Sequence, residues 1–291
     1  AGLSGEGQNE GMKKTVAFSA LLFSLLLWSC GGDSTPTAPT PTPTPTPVAT
    51  SITLSVTSLS LASLGATSQL SATVKDQNGA TMSGASVSWA TSAASVATVS
   101  SAGLVTSVAG GTATVTATSG AASGTVSVTV TQVAASVAVT PDTLSFASQG
   151  DTATLSVTVE DAGGNEISGA TVSWTTSDST IATVSDAGLV TSVTNGTATL
   201  TATSGAASDT ASVTVLQVAA SVVLSDTVLS FSTLGDTTQL TVTVKDANDS
   251  TMAGATVTWA SSDTTIATVS SAGLVTSVVD GTATITATSG S

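Results

Sequence analysis

The sequence predicts an all-β protein: three tandem antiparallel β-sandwiches, the last incomplete, after a disordered Thr/Pro-rich linker. Three observations carry that expectation. Past residue 50, apolar residues alternate with Thr and Ser at period two, the pattern of half-buried strands. Landmarks return every 85 residues: Trp89, Trp174 and Trp259; Gly103, Gly188 and Gly273; Gly111, Gly196 and Gly281. Only 8% of the 291 residues are charged and 3% aromatic, while Val and Thr, which suit a pleated surface, are abundant.

Residues 1–11 precede Met12 and read as a non-native leader. From Met12, Lys13 and Lys14 form a short positive region, and an apolar stretch of 13 residues runs from Val16 to Trp28. This is the layout of a secretory signal peptide, here 12–29. It is shorter than the roughly 20 residues that cross a bilayer. The string Leu27-Trp28-Ser29-Cys30-Gly31-Gly32 resembles the bacterial lipobox, which implies that Cys30 is acylated and becomes the new N-terminus. The alternative is an unmodified thiol beside an ordinary cleavage site. Two or three acyl chains would give stable membrane anchoring where one would not. Within 30–50, Pro36, Pro39, Pro41, Pro43, Pro45 and Pro47 alternate largely with Thr. Proline fixes φ and lacks an N–H, so this segment favours polyproline II, about 3.1 Å per residue. It reads as a semi-rigid spacer.

The three modules begin at Ser51, Ser136 and Ser221 and occupy 51–135, 136–220 and 221–291. The third stops 14 residues short of the period and lacks the counterpart of Ala206 to Val215. Either the gene continues or the last sandwich has an open edge, which a chain of so little charge defends poorly. In the first module strands are expected near 51–56, 68–75, 85–90, 95–100, 104–108, 111–118 and 124–131. Leu70, Ala72 and Val74 should share one face, as should Ala113, Val115 and Ala117. Seven short strands with turn signals at this spacing indicate an antiparallel sandwich, and no stretch shows a helical apolar period.

Trp89, Trp174 and Trp259 fall on the third strand of each module and are expected to fill the core between the sheets. No Cys lies within the modules to support them. The strings Val257-Thr258-Trp259-Ala260-Ser261-Ser262-Asp263, Ile266-Ala267-Thr268-Val269, Ala272-Gly273-Leu274-Val275-Thr276 and Gly281-Thr282-Ala283-Thr284-Ile285-Thr286-Ala287 resemble the bacterial immunoglobulin-like (Ig-like) group 2 domain. The same strings run from Val172 to Ala202 and from Val87 to Ala117. The turn Asp76-Gln77-Asn78-Gly79, repeated at Asp161 and Asp246, is closer to the invasin-type group 1 pattern. The resemblance implies extracellular modules of surface proteins, including adhesins of the intimin and invasin kind, and no shared catalytic residues.

Composition excludes several functions. With 18 acidic residues, four cations, no Arg and a net charge of −14, the chain has nothing to neutralise nucleic-acid phosphates. With no His and one Cys, His-based catalysis and cysteine-ligated zinc are excluded. A Ser nucleophile would depend on Lys75 or Lys245 as base, and that position is Glu160 in the second module. Asp76, Asp161 and Asp246 recur in register, with Asn78, Asn165, Glu166, Asn248 and Asp249 nearby. These residues make turns. A calcium site needs about six to eight oxygens, and each loop offers three or four. Asn195-Gly196-Thr197 and Asn248-Asp249-Ser250 match a glycosylation acceptor. Phe146 and Phe231 stand where the first module has Leu61 and read as core. No metal and no cofactor are expected.

The sequence therefore reads as a non-enzymatic protein, lipid-anchored at the outer membrane and exposed at the cell surface as a rod of tandem modules. Its expected partners are the membrane, through the lipid, and a host or neighbour-cell surface protein or polysaccharide. The alternative is a passive stalk for a C-terminal enzyme or carbohydrate-binding domain.

Overall fold

The computed structural model describes residues 45–290. Segments 1–11 and 12–29, Cys30 and most of the Thr/Pro linker lie outside the described residues.

The first module contains β1 (Ala49–Leu54), β2 (Ser58–Leu61), β3 (Thr67–Gln69), β4 (Ala72–Asp76), β5 (Ser88–Thr91), β6 (Ala97–Val99), β7 (Leu104–Ser107), β8 (Gly111–Ser119) and β9 (Ala122–Val130). One sheet has the order β2-β9-β8-β5, the other β3-β7-β6, and β1 pairs with β4. The second module repeats this with β10 (Ser136–Thr140), β11 (Thr143–Phe146), β12 (Thr152–Thr154), β13 (Ser156–Glu160), β14 (Ser173–Thr176), β15 (Ala182–Val184), β16 (Leu189–Ser192), β17 (Gly196–Ser204) and β18 (Ala207–Val215). Its sheets are β11-β18-β17-β14 and β12-β16-β15, with β10 on β13. All regular structure among the described residues is β.

Two features depart from the strand pattern expected from the sequence. The single strand expected over 68–75 is two strands, because the chain changes sheets at Leu70-Ser71: β3 pairs with β7, whereas β4 pairs with β1. Hydrogen bonds hold the crossing. The Leu70 N–H donates to the Gly103 carbonyl at 2.9 Å, and Gln69 Nε2 donates to the carbonyls of Leu70 and Ala102. Leu70 itself is buried in the core. The second feature is β2, which pairs parallel with β9 and has its counterpart in β11 on β18. Four residues carrying only Leu59 and Leu61 are too few for periodicity to mark a strand.

The core is aliphatic. Val105, Val115, Val126 and Val128 are fully buried in the first module, as are Val190, Leu200, Ala211 and Val213 in the second. Alternation on the long hairpins places them there: Ala113, Val115 and Ala117 face inward on β8, and Ala198, Leu200 and Ala202 do so on β17. Burying each such Val or Leu is worth about 1.5–3 kcal/mol. Phe146 takes the place of Leu61, both of them buried.

The third module contains β19 (Ser221–Leu224), β20 (Thr237–Gln239), β21 (Val242–Lys245), β22 (Val257–Ser261), β23 (Ala267–Val269), β24 (Leu274–Ser277) and β25 (Ile285–Ser289). Its pairings are β20-β24-β23, β22-β25 and β19-β21. Among the described residues nothing corresponds to β18, and residues 228–231, the counterpart of β11, form no strand.

Candidate functional site

The most elaborately built polar sites among the described residues lie at the two junctions between modules. Each starts from a turn that the sequence repeats. Asp161 Oδ1 accepts the N–H groups of Gly163 and Asn165 at 2.9 and 3.0 Å. Asp246 Oδ1 accepts those of Asn248 and Ser250, and Asp76 Oδ1 those of Asn78 and Ala80. A short acidic side chain closing on its own following backbone is the expected turn chemistry.

The second oxygen reaches across the junction. Asp161 Oδ2 accepts the Leu64 N–H of the first module at 2.9 Å and Gln132 Nε2 of the connecting segment at 2.9 Å. Asp246 Oδ2 accepts the Gln149 N–H of the second module at 2.9 Å and Gln217 Nε2 at 2.8 Å. One carboxylate thus joins the loop of the preceding module, the connector and its own turn. Burial works against the charge on Asp161. The donors Leu64, Gln132 and Asn165 outweigh it and hold the carboxyl well below its ordinary range. Asp246 is depressed in the same way, burial being overcome by Gln217, Gln149, Ser250 and Asn248.

An asparagine completes each junction from a different position. Asn165 Nδ2 donates to the Leu64 carbonyl at 3.2 Å. At the other junction the residue aligned with Asn165 is Ser250, and Asn248 instead donates to the Gln149 carbonyl at 2.9 Å and to Asp151 Oδ1 at 2.7 Å. The position aligned with Asn248 is Gly163, where a Cβ would lie 2.7 Å from both the Leu64 carbonyl oxygen and Asn165 Nδ2. The connectors add main-chain bonds to both sides. Val133 N–H donates to Ala62 and Ala135 N–H to Glu160, and Val218 and Ala220 repeat this on Ala147 and Lys245.

Chemically, this arrangement fixes the orientation of one module on the next. It is ill-suited to a cation, because the buried carboxylate oxygens are already occupied by N–H donors. Among the described residues, no three His, Cys, Asp or Glu side chains are placed to hold a metal ion. Asp76 keeps the turn, but its Oδ2 has no donor among the described residues, and Pro47 stands where the later connectors have Gln132 and Gln217.

The family model of the bacterial Ig-like domain (group 2) matches residues 48–130, 133–215 and 218–291. The chain belongs to that family. No curated protein sequence matches it. Among solved structures it is similar to domains 1–6 of the surface layer protein SbsC, at 27% identity, covering 76% of this chain and 31% of that one, with a TM-score of 0.30. It is also similar to the Escherichia coli adhesin FdeC, at 22% identity over 82% of this chain and 88% of that one, TM-score 0.33. A third is invasin, a bacterial integrin-binding protein, at 19% identity over 81% and 56%, TM-score 0.38. The chain spans about a third of the length of the SbsC structure.

Within the Ig-like domains, Trp89, Trp174 and Trp259 lie on β5, β14 and β22 and are half-buried. Trp89 and Trp174 pack against the aliphatic cores of their own domains. The Trp89 ring covers Gly103, whose φ is 82°; a Cβ there would lie 2.8 Å from the Leu70 carbonyl and 2.9 Å from the indole. Gly273 stands in the same relation to Leu240 and Trp259. Lys245 pairs with the exposed Asp249 at 2.9 Å. Asn195 Oδ1 accepts the Gln217 N–H, so the sequon asparagine is part of the second junction.

Reading the sequence found the aspartates as turn formers but not their second partners. The signal was available. Gln132-Val133-Ala134-Ala135 and Gln217-Val218-Ala219-Ala220 repeat between domains, where a free linker would have no reason to keep its sequence.

Proposed function

We propose that the chain is a non-enzymatic cell-surface lipoprotein, anchored through Cys30, whose tandem Ig-like domains act in adhesion or surface binding. The observation that carries this reading is the repeated junction. Each carboxylate is held at once by the preceding domain and by the connector, which suits a protein whose task is to present surfaces in a fixed order. Successive copies of one surface at set spacing would raise avidity through effective concentration without any new contact. A signal peptide ending at Ser29-Cys30 followed by a Thr/Pro spacer is consistent with an array held clear of a membrane.

The test uses the recombinant array, residues 45–291, against whole cells and a glycan panel. Saturable binding that weakens when the array is shortened to one domain supports adhesion. No binding to either supports instead a stalk that carries another domain. Palmitate labelling of the full chain that disappears in Cys30→Ser tests the anchor; label retained in that variant refutes it.

A further inference from the structure

Each connector between domains bonds to both of its neighbours. Val133 N–H donates to the Ala62 carbonyl of the preceding domain at 3.0 Å, and Val218 N–H donates to that of Ala147 at 2.8 Å. Gln132 and Gln217 give their side-chain amides to Asp161 and Asp246 of the following domain. The segment entering the first domain, Pro47-Val48-Ala49-Thr50, holds the aligned positions one period earlier, and its bonds turn inward.

Val48 N–H donates to Gln77 Oε1 at 2.9 Å, so a side chain of the same domain replaces the carbonyl of a neighbour. Gln77 stands where the later turns have Ala162 and Ala247, which carry no acceptor. Thr50 stands where the connectors have Ala135 and Ala220, and its Oγ1 donates to the Asp76 carbonyl at 2.8 Å. β1 runs back to Ala49, paired with Asp76, whereas β10 and β19 begin at Ser136 and Ser221, paired with Glu160 and Lys245. Pro47 has neither the side-chain amide of Gln132 and Gln217 nor an N–H.

We propose that the entry face of the first domain is a closed end, on which a further Ig-like domain does not dock, and that Pro47, Thr50 and Gln77 decide this. A docking domain would have to draw Val48 away from Gln77. It would then bury Asp76 Oδ2 with one donor where Asp161 and Asp246 have two, and a buried carboxylate short of donors is costly. The turn and the loop that meet at a junction are different surfaces, so the same contact made between chains would extend without closing into an open filament. A sealed face stops such growth, as the terminal units of other repeat arrays do.

The experiment inserts an extra copy of residues 132–216, one whole period, between Thr46 and Pro47 of the full chain. A second version of that chain also carries Pro47→Gln, Thr50→Ala and Gln77→Ala. Segmental isotope labelling follows amide exchange in the inserted copy, where slow exchange at Val213 reports folding. Its Gln149 amide should exchange fast behind the unaltered end and slow on the order of tenfold behind the opened one, the factor for an ordinary hydrogen bond. Equal exchange at that amide in the two versions would overturn the proposal, whether both are slow or both fast. A second measurement needs no insertion: Gln77→Ala in the natural chain should quicken exchange at Val48 on the order of tenfold and leave Leu64 and Gln149 unchanged. An unaltered Val48 would equally overturn it.

Discussion

Asn165 and Asn248 sit two positions apart in the 85-residue repeat, yet each donates its side-chain amide to the equivalent carbonyl of the preceding domain, Leu64 in one case and Gln149 in the other. The turn keeps one contact while moving the residue that makes it. Gly163 and Ser250 occupy the vacated positions, and at Gly163 there is no room for a Cβ.

That exchange can be tested directly. Gly163→Asn alone should loosen the first junction, because its Cβ would be 2.7 Å from the Leu64 carbonyl oxygen and from Asn165 Nδ2. Combining it with Asn165→Ser recreates the second junction's pair and should recover most of the loss. Thermal unfolding of the two single variants and the double variant measures the coupling; strict additivity would mean the two residues do not share a contact.

Removing the carboxylate should release the junction without unfolding the domain cores. In Asp161→Ala, the Leu64 amide loses its acceptor, and its exchange should quicken on the order of tenfold, the factor an ordinary hydrogen bond corresponds to. Amides on β8 and β9 should be unaffected. Exchange at Leu64 unchanged from wild type would show that Oδ2 is not what protects it.

Acid should weaken both junctions. The folded-state pKa values of Asp161 and Asp246 lie below the ordinary value of 3.8, so their contribution is fully present above that value. It is lost as pH falls through the depressed values, since protonation removes an acceptor for the Leu64 and Gln149 amides. A pH titration of thermal unfolding should therefore be flat near neutrality and fall below about pH 4. In Asp161→Asn with Asp246→Asn, that acid limb should be shallower.

Gly103 separates backbone strain from collision. Gly79 has a similar φ, 81°, with nothing within 4 Å of a Cβ, whereas at Gly103 a Cβ meets the Leu70 carbonyl and the Trp89 ring. Gly79→Ala should cost about 1 kcal/mol, and Gly103→Ala roughly 2–4 kcal/mol. Urea unfolding of the pair gives the difference, which should vanish if the indole is free to move away.

Calcium should not stabilise the array. The Asp161 and Asp246 oxygens accept N–H groups that a cation would have to displace. Melting with millimolar calcium and with chelator should superimpose.

Much of the fold was legible in the order of residues. Period-two alternation located Ala113, Val115, Ala117 and their counterparts, because a strand sends successive side chains to opposite faces and only one face of each sandwich layer is wet. The repeat of Trp, Gly and Asp landmarks marked three domains, and the Asx turns followed from residue type, since their bonds are local. The change of sheet at Leu70-Ser71, the parallel pairing of β2, and the junctions were decided by tertiary structure. A pairing partner seventy residues along the chain leaves no local pattern: nothing in Ser58–Leu61 indicates Ser127–Val130, and nothing in Asp161 indicates Leu64. Those contacts exist only once the cores have formed and brought loop, connector and turn together. A buried carboxylate must then find donors wherever the packing has placed them.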